Sequence, residues 1–254
     1  MRKIEIYGLE GIPEIKPGDD LSEIIIEAVE KNGLTIKDDD IFVIAQKIVS
    51  KSENRIVDLN DVIPSEESIK IAKITDKDPR LVELILRESK RIVKLSKGHI
   101  IVETKHGLVC ANAGIDKSNV GNVEEIDKVL LLPDDPDISA KRIKEAIEKK
   151  TGARIGVIIS DTYGRMLREG QINYAIGASG VRIFRDYRNK KDRYGYVLQV
   201  KNIAEAEEVA CAAELVIGQA DESIPVALVR GLKCEETTLN AKALNMPEEK
   251  WLFK

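Results

Sequence analysis

Four side chains that carry oxygen ligands stand just past short apolar runs of this sequence: Asp116, Asp161, Thr162 and Gln219. The runs predict buried elements that end in polar loops, and ligand sites gather where such elements end. Carboxylate, hydroxyl and amide oxygens are the ligands of hard cations. The sequence therefore predicts a Mg²⁺ or Mn²⁺ site assembled from distant parts of the chain. Taken singly, each acid also fits a helix cap or a surface charge.

Cationic residues accompany these oxygens in two places. Lys47 and Lys51 lie four positions apart, directly after the apolar run 41–45, where a ligand loop commonly follows a buried strand. The pair could meet phosphate oxygens or form a solvated helix face. Arg165 stands four positions after Asp161, so a carboxylate, a hydroxyl and a guanidinium fall within five positions. Such a trio can hold a metal and counter phosphate charge.

The segment 181–195 interleaves basic and aromatic side chains, among them Arg185, Tyr187 and Arg188. Cations between aromatic rings can bind an anionic, planar ligand by charge and stacking. The alternative interpretation is an exposed polar loop with a few rings that face the core. The sequence leaves both open.

Composition and missing motifs exclude several classes of function. The formal net charge of −4 over 254 residues offers no basic field for nucleic acid, and no apolar run approaches the ~20 residues of a membrane span. We therefore expect a cytoplasmic protein without nucleic-acid or membrane partners. The sequence lacks a phosphate-binding Gly-x4-Gly-Lys-Ser/Thr loop, a dinucleotide-binding glycine turn and a nucleophile elbow. Metal-assisted phosphoryl transfer is the chemistry that remains.

Turn residues and hydrophobic spacing predict the elements that carry these groups. Asp20, Ser65, Asp78 and Asn202 each precede apolar residues at helical spacing, and each is predicted to cap a helix. Buried strands are predicted at 41–45, 108–111, 155–159 and 224–230. The mixture predicts an α/β fold of mixed α+β type.

Six motifs resemble the coenzyme F420-0:L-glutamate ligase family, also called F420-0:gamma-glutamyl ligases. They run nearly the whole length of the chain: Glu-Gly-Ile-Pro-Glu-Ile at 10–15, Ile-Val-Ser-Lys at 48–51, Asn-Ala-Gly-Ile-Asp-Lys-Ser-Asn-Val at 112–120, Ile-Ile-Ser-Asp-Thr-x-Gly-Arg at 158–165, Ala-Ile-Gly-x-Ser-Gly at 175–180, and Ile-Pro-x-x-x-Val-Arg-Gly at 224–231. The third and fourth motifs together are highly specific.

The resemblance implies a GTP-dependent ligase that joins L-glutamate to coenzyme F420-0 through an acyl phosphate, releasing GDP and phosphate. A second, γ-linked glutamate is also expected. The implied cofactors are two divalent ions, Mg²⁺ or Mn²⁺, and a monovalent K⁺. Two rival functions use the same residues: a non-catalytic deazaflavin-binding or nucleotide-binding protein, and a metal-dependent phosphohydrolase.

The resemblance also implies roles for individual residues. Asp116 and Asp161 would bind one metal, and Thr162 and Gln219 the second, where the neutral amide of Gln219 departs from a carboxylate that family members can carry. GTP would be bound by Ile12, Pro13, Glu14, Ile15, Gln46, Lys47, Lys51, Asn119, Ile217, Gly218, Gln219, Ala220, Asp221, Glu222, Ser223 and Ile224. The catalytic residues would be Lys51 and Arg165, and substrate binding is assigned to Arg168, Arg185, Tyr187 and Arg188.

The family fold implies a two-domain α/β monomer with mixed sheets in an intertwined homodimer. From these implications we expect residues 1–105 and 196–254 to form the nucleotide-binding core domain. Residues 106–195 would form a second domain that carries the metal and substrate loops.

Overall fold

The structure is a computed structural model, and it describes residues 2–118, 120 and 127–252. The strands are β1 (Glu5–Gly8), β2 (Ile41–Ala45), β3 (Ile56–Asp58), β4 (Ser89–Ser96), β5 (His99–Thr104), β6 (Val109–Ala111), β7 (Lys128–Leu130), β8 (Gly156–Gly164), β9 (Gln171–Ser179), β10 (Arg185–Asp186), β11 (Asn202–Ile203) and β12 (Val226–Arg230). The α-helices are α1 (Leu21–Lys31), α2 (Gln46–Ser52), α3 (Glu66–Thr75), α4 (Pro79–Arg87), α5 (Pro136–Thr151) and α6 (Glu205–Ile217). The mixed α/β class is confirmed.

The chain forms two compact units. The first unit is Met1–Glu14, Asp20–Ala45 and Pro136–Lys254, and the second unit is Ile15–Asp19 and Gln46–Asp135. The two units are defined by how the chain packs. Their boundaries differ from those of the predicted functional domains, which are residues 1–105 with 196–254 and residues 106–195. Those domains stay a prediction.

The first unit is built on a five-stranded sheet in the order β1-β12-β2-β8-β9. Only the β2–β8 pairing is parallel, and the other three pairings are antiparallel. Helix α6 packs its small apolar face, Ala206, Ala210 and Ala213, into a cluster with residues of β2, β8 and β12. Helix α5 packs against β8 and β9, and α1 packs against α5. Because Ile41 to Ile44 are all buried, β2 is covered on both faces, which explains its continuous apolar run.

A register shift interrupts the pairing of β8 with β9. Ile159 lies opposite Gly177, but Ser160 lies opposite Ala175, so Ile176 is the extra residue of a β-bulge. Beyond the bulge, Thr162 lies opposite Asn173. Residues directly opposite each other in a sheet point to the same face, and the bulge therefore decides which side chain Thr162 meets.

The second unit holds two small antiparallel sheets and a helix pair. One sheet has the order β4-β5-β6, and the other pairs β3 with β7. Helices α3 and α4 pack against β4 and β5 through a cluster that includes Ile71, Val82, Ile85, Ile100 and Val102.

Three of the four predicted helix caps are confirmed. The side chains of Asp20, Ser65 and Asp78 accept backbone N–H groups at the starts of α1, α3 and α4. The prediction for Asn202 is wrong, because Asn202 lies in strand β11 opposite Asp186, and α6 begins at Glu205. Asn202 and Ile203 are extended because they pair with Asp186 and Arg185, so the helix begins only after them.

The predicted strand at 108–111 is also less buried than expected. Strand β6 lies at the edge of its sheet, so Cys110 is buried while Ala111 is exposed.

Among the residues that the structure describes, no helix combines the length and the apolar character needed to cross a bilayer.

Candidate functional site

Asp161 and Thr162 lie inside strand β8, so the prediction that they begin a loop is wrong. The reason is that β9 continues alongside to the pair Gly164–Gln171, and the ladder holds the backbone extended beyond the apolar residues. Side chains alternate along a strand, which places Asp161 and Thr162 on opposite faces. Thr162 shares its face with Ile158, which belongs to the cluster around α6.

The end of α6 brings Gln219 to this face. Gly218 ends the helix with φ of +74°, a conformation that favours glycine, and a Cβ there would lie 2.2 Å from the Glu222 carboxyl carbon. Gln219 follows, and its Oε1 accepts a hydrogen bond from Thr162 Oγ1 at 2.9 Å. The structure thus brings together the two side chains predicted to bind the second metal, although they are 57 positions apart in sequence.

Asn173, which is not among the residues predicted from the sequence, joins these two side chains. Its Oδ1 lies 3.3 Å from Thr162 Oγ1 and 3.3 Å from Gln219 Nε2, and Cys211 Sγ donates to its backbone carbonyl. Asn173 is only 4% exposed. One signal was available: a polar residue between the apolar residues Ile172 and Tyr174, since a buried amide must find hydrogen-bond partners.

The residues after Gln219 form a loop that wraps around a carboxylate. Glu222 Oε2 accepts the backbone N–H of Ala220 at 2.8 Å. The backbone amides of Ala220, Glu222 and Gln219 hold the pKa of the Glu222 carboxyl below its usual value. A concave run of N–H groups of this kind binds anions. In this loop, which is part of the predicted GTP site, the anion is the protein's own side chain.

In the second unit, a left-handed turn precedes Asp116. Asn112, Ala113 and Gly114 have φ of +53°, +57° and +71°, of which the first two are unusual for residues with a Cβ. A Cβ at Gly114 would lie 2.8 Å from a Leu132 methyl carbon, so that position also needs glycine for space. Such conformations cost on the order of 1 kcal/mol each and cluster at functional sites.

Asp116 is held by a lysine and a serine of the same unit. Its backbone pairs with Leu130. Lys47 Nζ lies 2.9 Å from Asp116 Oδ2 and donates to Ser118 Oγ at 2.6 Å, while the Ser118 N–H donates to Asp116 Oδ1 at 2.7 Å. Burial raises the pKa of Asp116, but the hydrogen bonds from Ser118 and Lys47 outweigh it, and the net pKa lies below its usual value. Asp116 is therefore ionised at neutral pH.

Helix α2 carries the other predicted nucleotide ligands of this unit. Gln46 and Lys51 are both buried, at 1% and 7% exposure. Ser50 Oγ donates to Gln46 Oε1 at 2.8 Å, whereas Gln46 Nε2 is buried without a hydrogen-bond partner in the described part of the chain. An unsatisfied buried donor is costly and calls for an acceptor.

The remaining predicted residues occupy varied positions. Ile12, Pro13 and Glu14 lie in an irregular segment of the first unit, and Ile15 is buried in the second unit. Loop 217–224 is as described above. Arg165 donates to the backbone carbonyls of Glu169 and Gly170, which closes the turn between β8 and β9. Arg168 is exposed on that turn. Asn119 lies outside the described residues.

The basic aromatic segment is already rich in internal ion pairs. Arg185 Nε lies 2.5 Å from Glu205 Oε2, and Arg188 binds both carboxylate oxygens of Asp186. Tyr187 lies 5.4 Å from Lys190 Nζ, measured to the ring centroid. These contacts neutralise part of the positive charge, and the assignment of this segment to substrate binding stays a prediction.

The donor set at Thr162 and Gln219 suits a hard cation. In the described part of the chain, no group of three or more His, Cys, Asp or Glu is placed to hold a metal. The hydroxyl and amide oxygens nevertheless stand 2.9 Å apart, and neighbouring ligands of an octahedral Mg²⁺ at about 2.1 Å stand about 3 Å apart. Asp116 adds a carboxylate in the second unit. The prediction that it shares an ion with Asp161 stays a prediction.

Comparison with known proteins supplies the family. The family model described as F420-0:Gamma-glutamyl ligase matches residues 11–231. A coenzyme F420:L-glutamate ligase of Methanocaldococcus jannaschii is 44% identical and covers 100% of this chain and 98% of the relative. Proteins of the same name from Methanothermobacter thermautotrophicus and Archaeoglobus fulgidus are 45% and 41% identical, over 90% and 91% of this chain and 89% and 88% of the relatives. The chain therefore belongs to the F420-0:gamma-glutamyl ligase family, a family of ligases.

Proposed function

We propose that this protein joins L-glutamate to coenzyme F420-0 in coenzyme F420 biosynthesis, using GTP. The observation that carries the proposal is the 44% identity to a coenzyme F420:L-glutamate ligase over 100% of the chain and 98% of the relative. An identity of this size along both chains favours a shared activity over a shared fold alone.

The chemistry follows from the weakness of a carboxylate as an acyl donor. The F420-0 carboxylate attacks the γ-phosphorus of GTP, the bond to the β-phosphate oxygen breaks, and GDP leaves. The glutamate amine then attacks the acyl phosphate, loses a proton and expels inorganic phosphate to leave an amide. Negative charge spreads over the transferred group in the first step, so cations and N–H donors near that group accelerate the reaction.

Two divalent ions, Mg²⁺ or Mn²⁺, and a monovalent K⁺ belong to the proposal. When bound, they offset the negative charge of the phosphates. Thr162 and Gln219 would hold one divalent ion and Asp116 and Asp161 the other. The support comes from the oxygen spacing at Thr162 and Gln219 and from the ionised state of Asp116.

GTP binding is supported by three groups of polar atoms. Gln46 Nε2 is a buried donor without a partner among the described residues, and Lys47 and Lys51 follow on the same helix. Loop 217–224 presents backbone N–H groups to a carboxylate. Phosphate oxygens are acceptors for all of these donors. The roles of segment 12–15 and Asn119 in GTP binding rest on the family resemblance.

The acceptor side of the reaction is assigned to arginines. Arg165 and Lys51 would act at the reacting groups, and Arg168, Arg185, Tyr187 and Arg188 would bind the substrate. The intertwined homodimer of two-domain chains, the second γ-linked glutamate and a cytoplasmic location complete the proposal.

A single assay tests the proposed function. Purified protein is incubated with F420-0, L-glutamate, GTP and Mn²⁺, and the deazaflavin products are resolved by mass while phosphate is measured. We expect one glutamate and one phosphate per amide bond, with a second glutamate visible by mass. Omitting glutamate is the control. Phosphate release without glutamate would favour the phosphohydrolase, and no turnover at all would favour the non-catalytic binding protein.

A further inference from the structure

The side-chain oxygen of Asn173 lies within hydrogen-bond distance of two donors. Its Oδ1 faces the hydroxyl of Thr162 and the amide nitrogen of Gln219, each at 3.3 Å. A carbonyl oxygen has two lone pairs, so it can take both hydrogens. Asn173 is buried in strand β9, where an amide is tolerated only if its polar atoms are satisfied.

We infer that Asn173 is a positioning residue that turns the oxygens of Thr162 and Gln219 toward a divalent cation. The inference rests on the proposed function, in which these two side chains hold such an ion. Thr162 has a single hydroxyl proton, which Gln219 Oε1 accepts at 2.9 Å when no ion is bound and which Asn173 Oδ1, 3.3 Å away, can accept instead. When that proton points at Asn173, the lone pairs of Oγ1 are left for a cation. When Gln219 Nε2 points at Asn173, its Oε1 faces the same space as Oγ1.

The orientation of the Gln219 amide decides whether this place can bind a cation. Turned by half a rotation, Gln219 would present two N–H donors beside Thr162 and repel a positive ion. The hydrogen bond from Gln219 Nε2 to Asn173 Oδ1 selects the orientation that offers oxygen. Partners that orient metal ligands in this way typically change metal affinity by about 10- to 100-fold when they are removed.

The backbone fixes Asn173 for this task. The bulge at Ile176 places Asn173 directly opposite Thr162, on the sheet face to which α6 delivers Gln219. The Asn173 carbonyl also accepts from Cys211 Sγ on that helix, at 2.9 Å. Strands β8 and β9 and helix α6 therefore hold the side chains of Thr162, Asn173 and Gln219 close together without any ligand.

Substitution by aspartate and by leucine separates the roles of Asn173. A carboxylate can only accept, so Asn173→Asp keeps both hydrogen bonds to Thr162 and Gln219. Leucine has a similar volume but cannot accept either of these hydrogen bonds. If Asn173 instead donated its NH₂ to the two side chains, the aspartate would leave their oxygens facing a carboxylate, and both variants would lose the site.

The experiment is a titration with Mn²⁺ alone, followed by electron paramagnetic resonance of the free ion. Thr162→Val first identifies the site that depends on this cluster. At that site we expect Asn173→Leu to weaken Mn²⁺ binding about 10- to 100-fold and Asn173→Asp to stay within about threefold of the unmodified protein. Ile172→Val, at the neighbouring exposed position of β9, is the matched control and should bind normally.

A double-substitution cycle excludes a merely structural role. If Asn173 acts through Thr162, Asn173→Leu adds little further loss of Mn²⁺ affinity in the Thr162→Val background. Full additivity, unchanged affinity in Asn173→Leu, or equal losses in the leucine and aspartate variants would each overturn the inference. Thermal unfolding without metal checks that every variant folds, and the aspartate variant tests the inference even if the leucine variant does not.

Failure of the inference and failure of the proposed function give different results. If the unmodified protein has a Mn²⁺ site that Thr162→Val weakens and Asn173→Leu does not, the role of Asn173 alone is wrong. If no Mn²⁺ site depends on Thr162, the inference and the proposed cation ligands fall together. The ligase assay still decides the proposed activity separately.

Discussion

Thr162 and Gln219 present neutral oxygens that a buried amide orients, whereas Asp116 presents a carboxylate that a lysine already neutralises. In the first cluster, the bonded side chains that the structure describes are all neutral, and the orientation of one amide sets the affinity. In the second cluster, the charge is strong, but Lys47 competes for it. The comparison teaches that ligand geometry controls one cluster and charge competition controls the other.

The largest expected effect separates the two clusters by their contribution to catalysis. Asp116→Asn removes a charge that the proposed mechanism needs, and we expect the rate of glutamate ligation to fall on the order of 10³-fold. Thr162→Val removes a neutral ligand and should cost about 10- to 100-fold. Steady-state rates at saturating GTP and Mn²⁺ measure both. Equal losses in the two variants would contradict the comparison.

A smaller effect tests a neutral donor next to the charged cluster. Gln46→Met combined with Ser50→Ala removes the unsatisfied Nε2 donor and also the hydroxyl that bonds to Gln46. Removing both partners of a buried hydrogen bond is nearly neutral for folding, so the thermal unfolding midpoint without ligand should hold or rise. The dissociation constant for GTP, measured by calorimetry, should increase about tenfold. An unchanged GTP affinity would remove Gln46 from the nucleotide site.

The third test changes the charge competition itself. Lys47→Met removes one of the two groups that hold the pKa of Asp116 down, so this pKa rises although the hydrogen bonds from Ser118 remain. Carbon NMR of the carboxyl group follows it directly. The depressed pKa stabilises the native state above the pKa of the unfolded chain, and this stabilisation is lost as pH falls through the folded value. The variant should therefore unfold more easily at neutral pH, by a margin that shrinks in acid.

The smallest effect comes from salt. Lys47 and Asp116 keep 25% and 32% of their side chains exposed, so their attraction is partly screened. Raising tetramethylammonium chloride from about 0.1 M to about 1 M shortens the screening length from about 10 Å to about 3 Å. The pKa of Asp116 should drift upward. The cluster of Thr162, Gln219 and Asn173 is the matched contrast. At the higher salt concentration, Asn173→Asp should still bind Mn²⁺ more tightly than Asn173→Leu.

Local signals predicted much of the fold, because capping and strand burial depend on neighbouring residues. Asp20, Ser65 and Asp78 start helices as predicted, since each carries a short side chain that accepts the N–H groups of the next turn. Asn202 has the same chemistry but lies in a strand, because its pairing with Asp186 depends on a residue 16 positions earlier in the chain. Sequence spacing carries no record of that contact.

The sequence predicts the residue types of the candidate site, but it does not predict which of these residues contact one another. Asp116, Thr162 and Gln219 follow apolar runs, and this pattern predicts oxygen ligands. The bond between Thr162 and Gln219 depends on strand register and on where α6 ends. The polar residue Asn173 between two apolar residues indicates a buried amide, but its pairing with Thr162 depends on a bulge that the residue pattern of β9 does not predict.

Because of the extra residue Ile176, the pairing of Thr162 with Asn173 depends on the number of residues in β9 as well as on their types. If the ladder continued from the Ile159–Gly177 pair without the bulge, Tyr174 would lie across from Thr162, and a phenol ring would replace the amide. Every amino acid of the cluster would still be present, yet the cluster would be gone. Inserting one residue between Asn173 and Ile176 should therefore harm the site more than deleting one there, because a deletion closes the bulge and keeps Thr162 opposite Asn173.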